Sequence, residues 1–230
     1  MISQQPVIAP AIMADEWDVL VSQIERIACV ASRVQIDVMD GHLVPSFSFP
    51  YNKTILSNQQ LPYWDKIAFD VHLMVQHPQE VGNRFIDAGA TCITAQIEGF
   101  RAGEAQHVYD EWKGRGMQVG VSLLLDTPLA DIKDLIESKT VSLVQVMSIA
   151  RIGYQGEAFD ARAISRVRTL REQYPDVTIA VDGGVNAETI PALLEAGADI
   201  FNVGSAVVKT NNPEQNITQL QTLLDSYTHA

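Results

Sequence analysis

Positive charge is scarce in this 230-residue chain, where 16 Lys and Arg stand against 28 Asp and Glu for a formal net charge of −12. A protein that holds nucleic acid through its phosphates needs a basic footprint, so nucleic acid is not expected as a partner. Cysteine is nearly absent too. Cys29 and Cys92 lie far apart without metal-type spacing and read as buried free thiols rather than a disulfide framework or a zinc site. No run reaches the roughly 18 uninterrupted apolar residues of a membrane span, and MISQQPVIAP lacks the basic flank and long apolar stretch of a secretion signal. A cytoplasmic protein without a membrane partner is expected. Charged residues make up only 19% of the chain and hydrophobic ones 47%, which supplies a core and argues against disorder. Nothing Pro/Gly/Ser-rich, charge-blocked or of low complexity divides it, so residues 1–230 are expected to form one domain.

Helical and extended patterns alternate. Trp17, Leu20, Val21, Ile24 and Ile27 build one apolar face over Asp15–Ala28. Thr127-Pro128 and Asn212-Pro213 each pair a capping residue with one that needs no N–H donor, so helices are expected to begin there. Further helices are expected over Pro78–Ala88, Ala102–Arg115, Ala161–Tyr174 and Asn186–Ala196, with a weaker one at Asn52–Gln59. Between them fall apolar, β-branched runs at Val7–Ala9, Val34–Met39, Ile67–Met74, Thr91–Ile97, Val119–Leu123, Leu143–Met147, Val177–Asp182 and Ile200–Val203. Eight strand–helix units point to an α/β fold, a closed (β/α)8 TIM barrel, with an open doubly wound sheet as the other arrangement.

Barrel strands alternate between interior and helix layer, and chemistry gathers where the strands end. If apolar 34, 36 and 38 face the helices, then Gln35, Asp37 and Met39 share the interior. The same parity puts Asp70, His72 and Met74 together on the third strand and Thr178, Ala180 and Asp182 on the seventh. Two carboxylates, an imidazole and an amide converging in a partly dry pocket fit either a metal site or an acid/base carboxyl pair. Taken singly, the Asp residues also read as helix caps and the His as hydrogen-bonded structure. Gly153 and Gly156, Gly183 and Gly184, and Gly204 with Ser205 follow neighbouring strands, and such loops cradle phosphate with backbone donors. That route lets an acidic protein hold an anion. Met39, Met74 and Met147 lie near strand ends, as core filler or as a polarisable lid over an intermediate.

The chain resembles the ribulose-phosphate 3-epimerase family from Ile8 to about Val208. The residues that carry the likeness are Ile8-Ala9-Pro10, Ile36-Asp37-Val38-Met39-Asp40-Gly41-His42 with Val44-Pro45, Asp70-Val71-His72-Leu73-Met74, Val146-Met147-Ser148, Val181-Asp182-Gly183-Gly184-Val185-Asn186, Ala196-Gly197-Ala198-Asp199 and Gly204-Ser205-Ala206. The resemblance implies a TIM barrel that interconverts D-ribulose 5-phosphate and D-xylulose 5-phosphate through an enediolate, an isomerase of the pentose phosphate pathway. It implies Asp37 and Asp182 as the catalytic pair on opposite faces of the substrate. A divalent metal, whether zinc, manganese, iron or magnesium, would be held by Asp37, His72, Asp182 and the residue at position 35. It further implies a sugar-phosphate ligand and a homo-oligomer. Met39, Met74, Met147, Gly153, Gly156, Gly183, Gly184, Gly204 and Ser205 would then border the substrate.

Three departures bear on mechanism. Gln35 stands where the family has a metal-ligating histidine, so metal binding should be weakened or lost, or shifted toward harder ions. Ala11 stands where a serine hydroxyl would meet substrate. The loop Ala150-Arg151-Ile152-Gly153-Tyr154-Gln155-Gly156 replaces the family's glycine-rich one, and Arg151 becomes a candidate phosphate contact because a forked guanidinium matches phosphate geometry. Gln35 and Ala11 together keep two alternatives in view, a noncatalytic sugar-phosphate-binding barrel and an epimerase of a different ketose phosphate. A related barrel that decarboxylates or condenses sugar phosphates would carry lysine where Met39 stands.

Overall fold

Every strand read from the sequence forms. In a computed structural model that describes residues 5–52, 56, 58–208 and 210–228, eight parallel strands close in chain order: β1 (Val7–Ile12), β2 (Arg33–Met39), β3 (Ala68–Met74), β4 (Cys92–Gln96), β5 (Gln118–Leu123), β6 (Leu143–Met147), β7 (Thr178–Asp182) and β8 (Ile200–Val203). Closure is made by β1 pairing with β8, Ile8 opposite Phe201 and Pro10 opposite Val203. The TIM barrel is therefore correct and the open sheet is not.

The period of two divides each strand as parity requires. Val34, Ile36, Val38, Phe69, Val71, Leu73, Ile93, Ala95, Val144, Val146, Ile179 and Val181 pack in the layer between sheet and helices. That layer receives Leu20 and Ile24 of α1 (Trp17–Glu25), Val81 and Phe85 of α2 (Gln79–Asp87), and Val108, Tyr109 and Trp112 of α3 (Glu104–Gly114). After a short 3-10 turn at Leu129–Ile132, α4 (Lys133–Glu137) buries Leu135 and Ile136. Helices α5 (Arg162–Gln173) and α6 (Ile190–Ala196) bury Val167, Leu170 and Leu193. A four-residue α7 (Ser205–Val208) and the long α8 (Pro213–Thr228) follow. At about 25 cal/mol per Å² of apolar surface, this layer is the main stabilising contribution.

The barrel interior is stratified. Ala9, Cys92, Leu143, Ala180 and Ile200 form a small apolar floor. Near it, Arg33 Nε donates to Asp70 Oδ2 at 2.6 Å. Asp70 therefore shares the parity of His72 without joining it. Met39, Val44 and Met74 form a second apolar cluster toward the loops. Between them Gln35, Asp37, His72, Gln96, Gln145, Asp182 and Asn202 are all buried.

Three expectations differ in detail. Cys29 is exposed, whereas Cys92 is buried, because Cys29 lies in the irregular segment after α1. The helix expected from Asn186 begins at Ile190, since Asn186 Oδ1 accepts the backbone N–H of Glu188 and Thr189 in a local turn. Of the helix expected over Asn52–Gln59, residues 53–55 and 57 lie outside the described residues, and the described ones between them are not helical.

Candidate active site

Strand register brings the ionisable groups into contact. Asp37 pairs with His72 across β2 and β3, and Asp182 ends β7 beside Asn202 on β8. The ligand atoms of Asp37, His72 and Asp182 all lie within 4.8 Å of one another. His72 Nδ1 faces Asp37 Oδ1 and Asp182 Oδ2 at 3.5 Å each without closing a hydrogen bond to either. On the other side of the ring, His72 Nε2 meets Gln96 Oε1 at 3.2 Å. The Gln35 Nε2 amide donates to Asp37 Oδ1 and to Asp182 Oδ2, both at 2.8 Å. Gln145 Nε2 donates a longer bond to Asp182 Oδ2 at 3.3 Å, and Asn202 Nδ2 donates to Gln145 Oε1 at 3.2 Å.

Burial raises the Asp37 carboxyl above its ordinary range, and the negative charge of Asp182 adds to the rise, against the pull of His72 and Gln35. Burial alone would discharge His72, but Asp182 and Asp37 outweigh it and push its pKa up to about 10. The two crowded carboxylates therefore draw positive charge to the space that His72 Nδ1 faces.

The main chain beneath each carboxylate is pinned by a serine. Ser48 Oγ donates to the Asp37 carbonyl at 2.8 Å and accepts the Met39 N–H at 2.9 Å. Ser148 Oγ donates to the carbonyls of Asp182 at 3.0 Å and Gly183 at 2.5 Å. Asp40 ties two loops together, since its Oδ1 accepts the N–H of His42 and Leu43 and its Oδ2 that of Gln76. Ser48 is fully buried, so Ser48→Ala strands the Met39 N–H. A loss of about 1–3 kcal/mol in a denaturant titration is expected.

Above the cluster opens a cavity of about 240 Å³. Asp37 and Asp182 reach it from two sides of the barrel, with Met74 and Met147 beside them. Its far side is built from Gly153, Gly156, Gly183, Gly184, Gly204 and Ser205. The structure thus brings these site residues together around one space. Met39 does not line the cavity and is fully buried behind Met74, against Val44. Arg151 does not line the cavity: its guanidinium pairs with Glu157 at 2.7 Å and lies 5.4 Å from the centre of the Tyr154 ring.

Sequence reasoning missed several residues of this site. Tyr154, Gln155, Glu157 and Asn186 line the cavity, and Gln155 Nε2 reaches toward the Ala11 carbonyl at 3.5 Å. Gln96, Gln145 and Asn202 touch the charged cluster or its supports. Interior parity would have pointed to the last three, but not to which partner each takes.

The donor set suits a divalent cation. His72 Nδ1 is buried, unpartnered and aimed at two carboxylates, which is the arrangement of an imidazole ligand among oxygen ligands.

Residues 7–208 match the ribulose-phosphate 3 epimerase family. Among curated relatives, the ribulose-phosphate 3-epimerase of Treponema pallidum (strain Nichols) is 35% identical over 86% of this chain and 89% of its own length. The cytoplasmic isoform of ribulose-phosphate 3-epimerase from Oryza sativa subsp. japonica is 32% identical over 93% of this chain and 92% of its own. Among solved structures, KGPDC from Streptococcus mutans aligns with a TM-score of 0.71 at 12% identity, covering 97% of this chain and 99% of that one. At that identity the likeness establishes the barrel fold and nothing finer.

Proposed function

Because the chain belongs to the ribulose-phosphate 3-epimerase family and is an isomerase of carbohydrate phosphates, we propose that it interconverts D-ribulose 5-phosphate and D-xylulose 5-phosphate by two-base proton transfer at C3. The observation that carries this reading is the convergence of Asp37 and Asp182, from strands on different sides of the barrel, on one cavity. Epimerisation needs a proton removed from one face of a carbon and returned to the other. One carboxylate takes the C3 proton, an enediolate forms, and the opposite carboxyl delivers a proton to the other face. Burial raises the Asp37 pKa above its ordinary range, and a group that alternates between acid and base works best when its pKa is drawn toward the working pH.

Asp37, His72 and Asp182 would hold a divalent cation, which supplies positive charge beside the enediolate oxygens. His72 must give up its proton to ligate, so metal binding and proton release are coupled. The phosphate is assigned to the backbone of Gly183, Gly184, Gly204 and Ser205, at the ends of β7 and β8 where barrels commonly bind it. Arg151, paired with the cavity-lining Glu157, offsets that carboxylate, and would have to leave it to contact an arriving phosphate. Met74 and Met147, which line the cavity, shield the reacting carbon from water, and Met39 backs Met74. A cytoplasmic setting accords with the rice relative's designation.

Gln155 stands over Ala11 and Gly204, where the Ala11 methyl offers no hydroxyl. We assign its carboxamide the polar contact missing there. Gln155→Ala is expected to raise KM about fivefold, equivalent to about 1 kcal/mol, with a smaller change in kcat.

The function is tested by incubating the purified protein with D-ribulose 5-phosphate and following D-xylulose 5-phosphate. Binding without turnover across a series of divalent metals would instead favour a sugar-phosphate binder.

A further inference from the structure

Gln35 occupies the centre of the charged cluster, and the two ends of its amide are treated unequally. Its nitrogen donates to both carboxylates at 2.8 Å, while its Oε1 is buried with no hydrogen-bond partner. Carboxylate oxygens only accept hydrogen bonds when ionised, so in an ion-free centre the NH2 must face them and the oxygen must be left behind. A cation held by those carboxylates and His72 reverses the preference. It repels the NH2 and attracts the oxygen. Oε1 makes no hydrogen bond where it now lies, so turning the amide over breaks none on that side.

We propose that the Gln35 carboxamide is a two-position latch: with nitrogen inward it ties Asp37 to Asp182 in the ion-free protein, and turned over it gives its oxygen as a fourth ligand to a divalent cation. This rests on the metal reading above and adds what position 35 does with and without the ion. Two consequences follow from donor chemistry. The ion-free site is held together by the amide instead of being left as a repelling carboxylate pair. The loaded site has three oxygen donors and one nitrogen, which narrows the advantage of Zn²⁺ over the harder Mn²⁺ relative to a site with a second imidazole.

The test uses full-length protein stripped with chelator, titrated calorimetrically with Zn²⁺ and separately with Mn²⁺, for the wild type, Gln35→His and Gln35→Leu. The ratio of Zn²⁺ to Mn²⁺ affinity is expected to rise at least tenfold in Gln35→His. Gln35→Leu is expected to weaken both ions and to lower the Tm of the ion-free protein, because both carboxylates lose their shared donor. The side-chain NH2 resonances of Gln35, identified by their disappearance in Gln35→Leu or Gln35→His, are expected to shift when Zn²⁺ is added to the wild type. An unchanged Zn²⁺ to Mn²⁺ ratio in Gln35→His, with all proteins binding metal, overturns the latch and leaves the metal site standing. Failure of both wild type and Gln35→His to bind either ion overturns both. If Gln35→Leu does not fold, the ratio in Gln35→His and the amide shift decide.

Discussion

Asp37→Asn and Asp182→Asn are each expected to reduce interconversion of the two pentulose phosphates by roughly 10³-fold or more, the upper range for removing an acid/base group. Asparagine keeps the shape of the side chain and an oxygen able to accept from Gln35, so the loss would be chemical rather than structural. The proteins should remain folded, with Tm within a few degrees of wild type, because Ser48 and Ser148 fix the backbone at both sites through carbonyl oxygens that the substitutions leave in place. Removing one carboxylate also leaves one charge fewer for His72 to balance. Its pKa, pushed up to about 10 by the pair, should therefore fall, which an imidazole NMR titration would detect. Retention of substantial epimerase activity by either variant would remove that carboxylate from the mechanism.

The second large effect is expected at the glycine pair after β7, the place assigned above to the phosphate. Gly184 has φ of 65°, and a Cβ built there lies 2.8 Å from both the N and the Cα of Phe159. Backbone atoms cannot swing aside as the tip of a side chain can. Gly184→Ala therefore combines left-handed strain of about 1–2 kcal/mol with a steric cost of about 1–3 kcal/mol. Relief by shifting the loop would carry the Gly183 and Gly184 amides away from the place assigned to phosphate. A KM increase of about tenfold or more is expected, with kcat less affected, together with a loss of stability of about 2–5 kcal/mol. Gly156→Ala provides the comparison. Its φ is 92° but no atom lies within 4 Å of the added methyl, so strain acts without the clash and the effect on KM should be smaller. Equal effects at the two positions would place the phosphate elsewhere in the cavity.

The barrel was legible because its strands are short β-branched runs whose alternation survives intact. Gln35, Asp37 and Met39 fall inside and Val34, Ile36 and Val38 outside, as parity requires. The charged cluster was legible for the same reason, since Asp37, His72 and Asp182 share interior parity near the ends of their strands. Parity cannot give register, however, and register separates Asp70, paired to Arg33, from His72, paired across β2 with Asp37. It also hides the Gln145–Asn202 relay, whose members are 57 residues apart. Ser48 and Gln155 belong to loops, where their contacts depend on a path that no periodicity encodes. Helix α7 is too short, at four residues, to show an apolar repeat. The Arg151 side chain illustrates a further limit: its charge suits phosphate, but a nearby Glu157 carboxylate claims it in this structure.

If two carboxylates address opposite faces of one carbon, deuterium uptake separates their roles. D-ribulose 5-phosphate and D-xylulose 5-phosphate are incubated separately in D₂O with wild type, Asp37→Asn and Asp182→Asn, and label at C3 is read by NMR. Wild type should label both sugars, whereas each variant should label only the epimer whose C3 hydrogen faces its remaining carboxylate, and the two variants should choose opposite epimers. If one variant labels both sugars while the other labels neither, a single base serves both faces and the account given for this site is wrong.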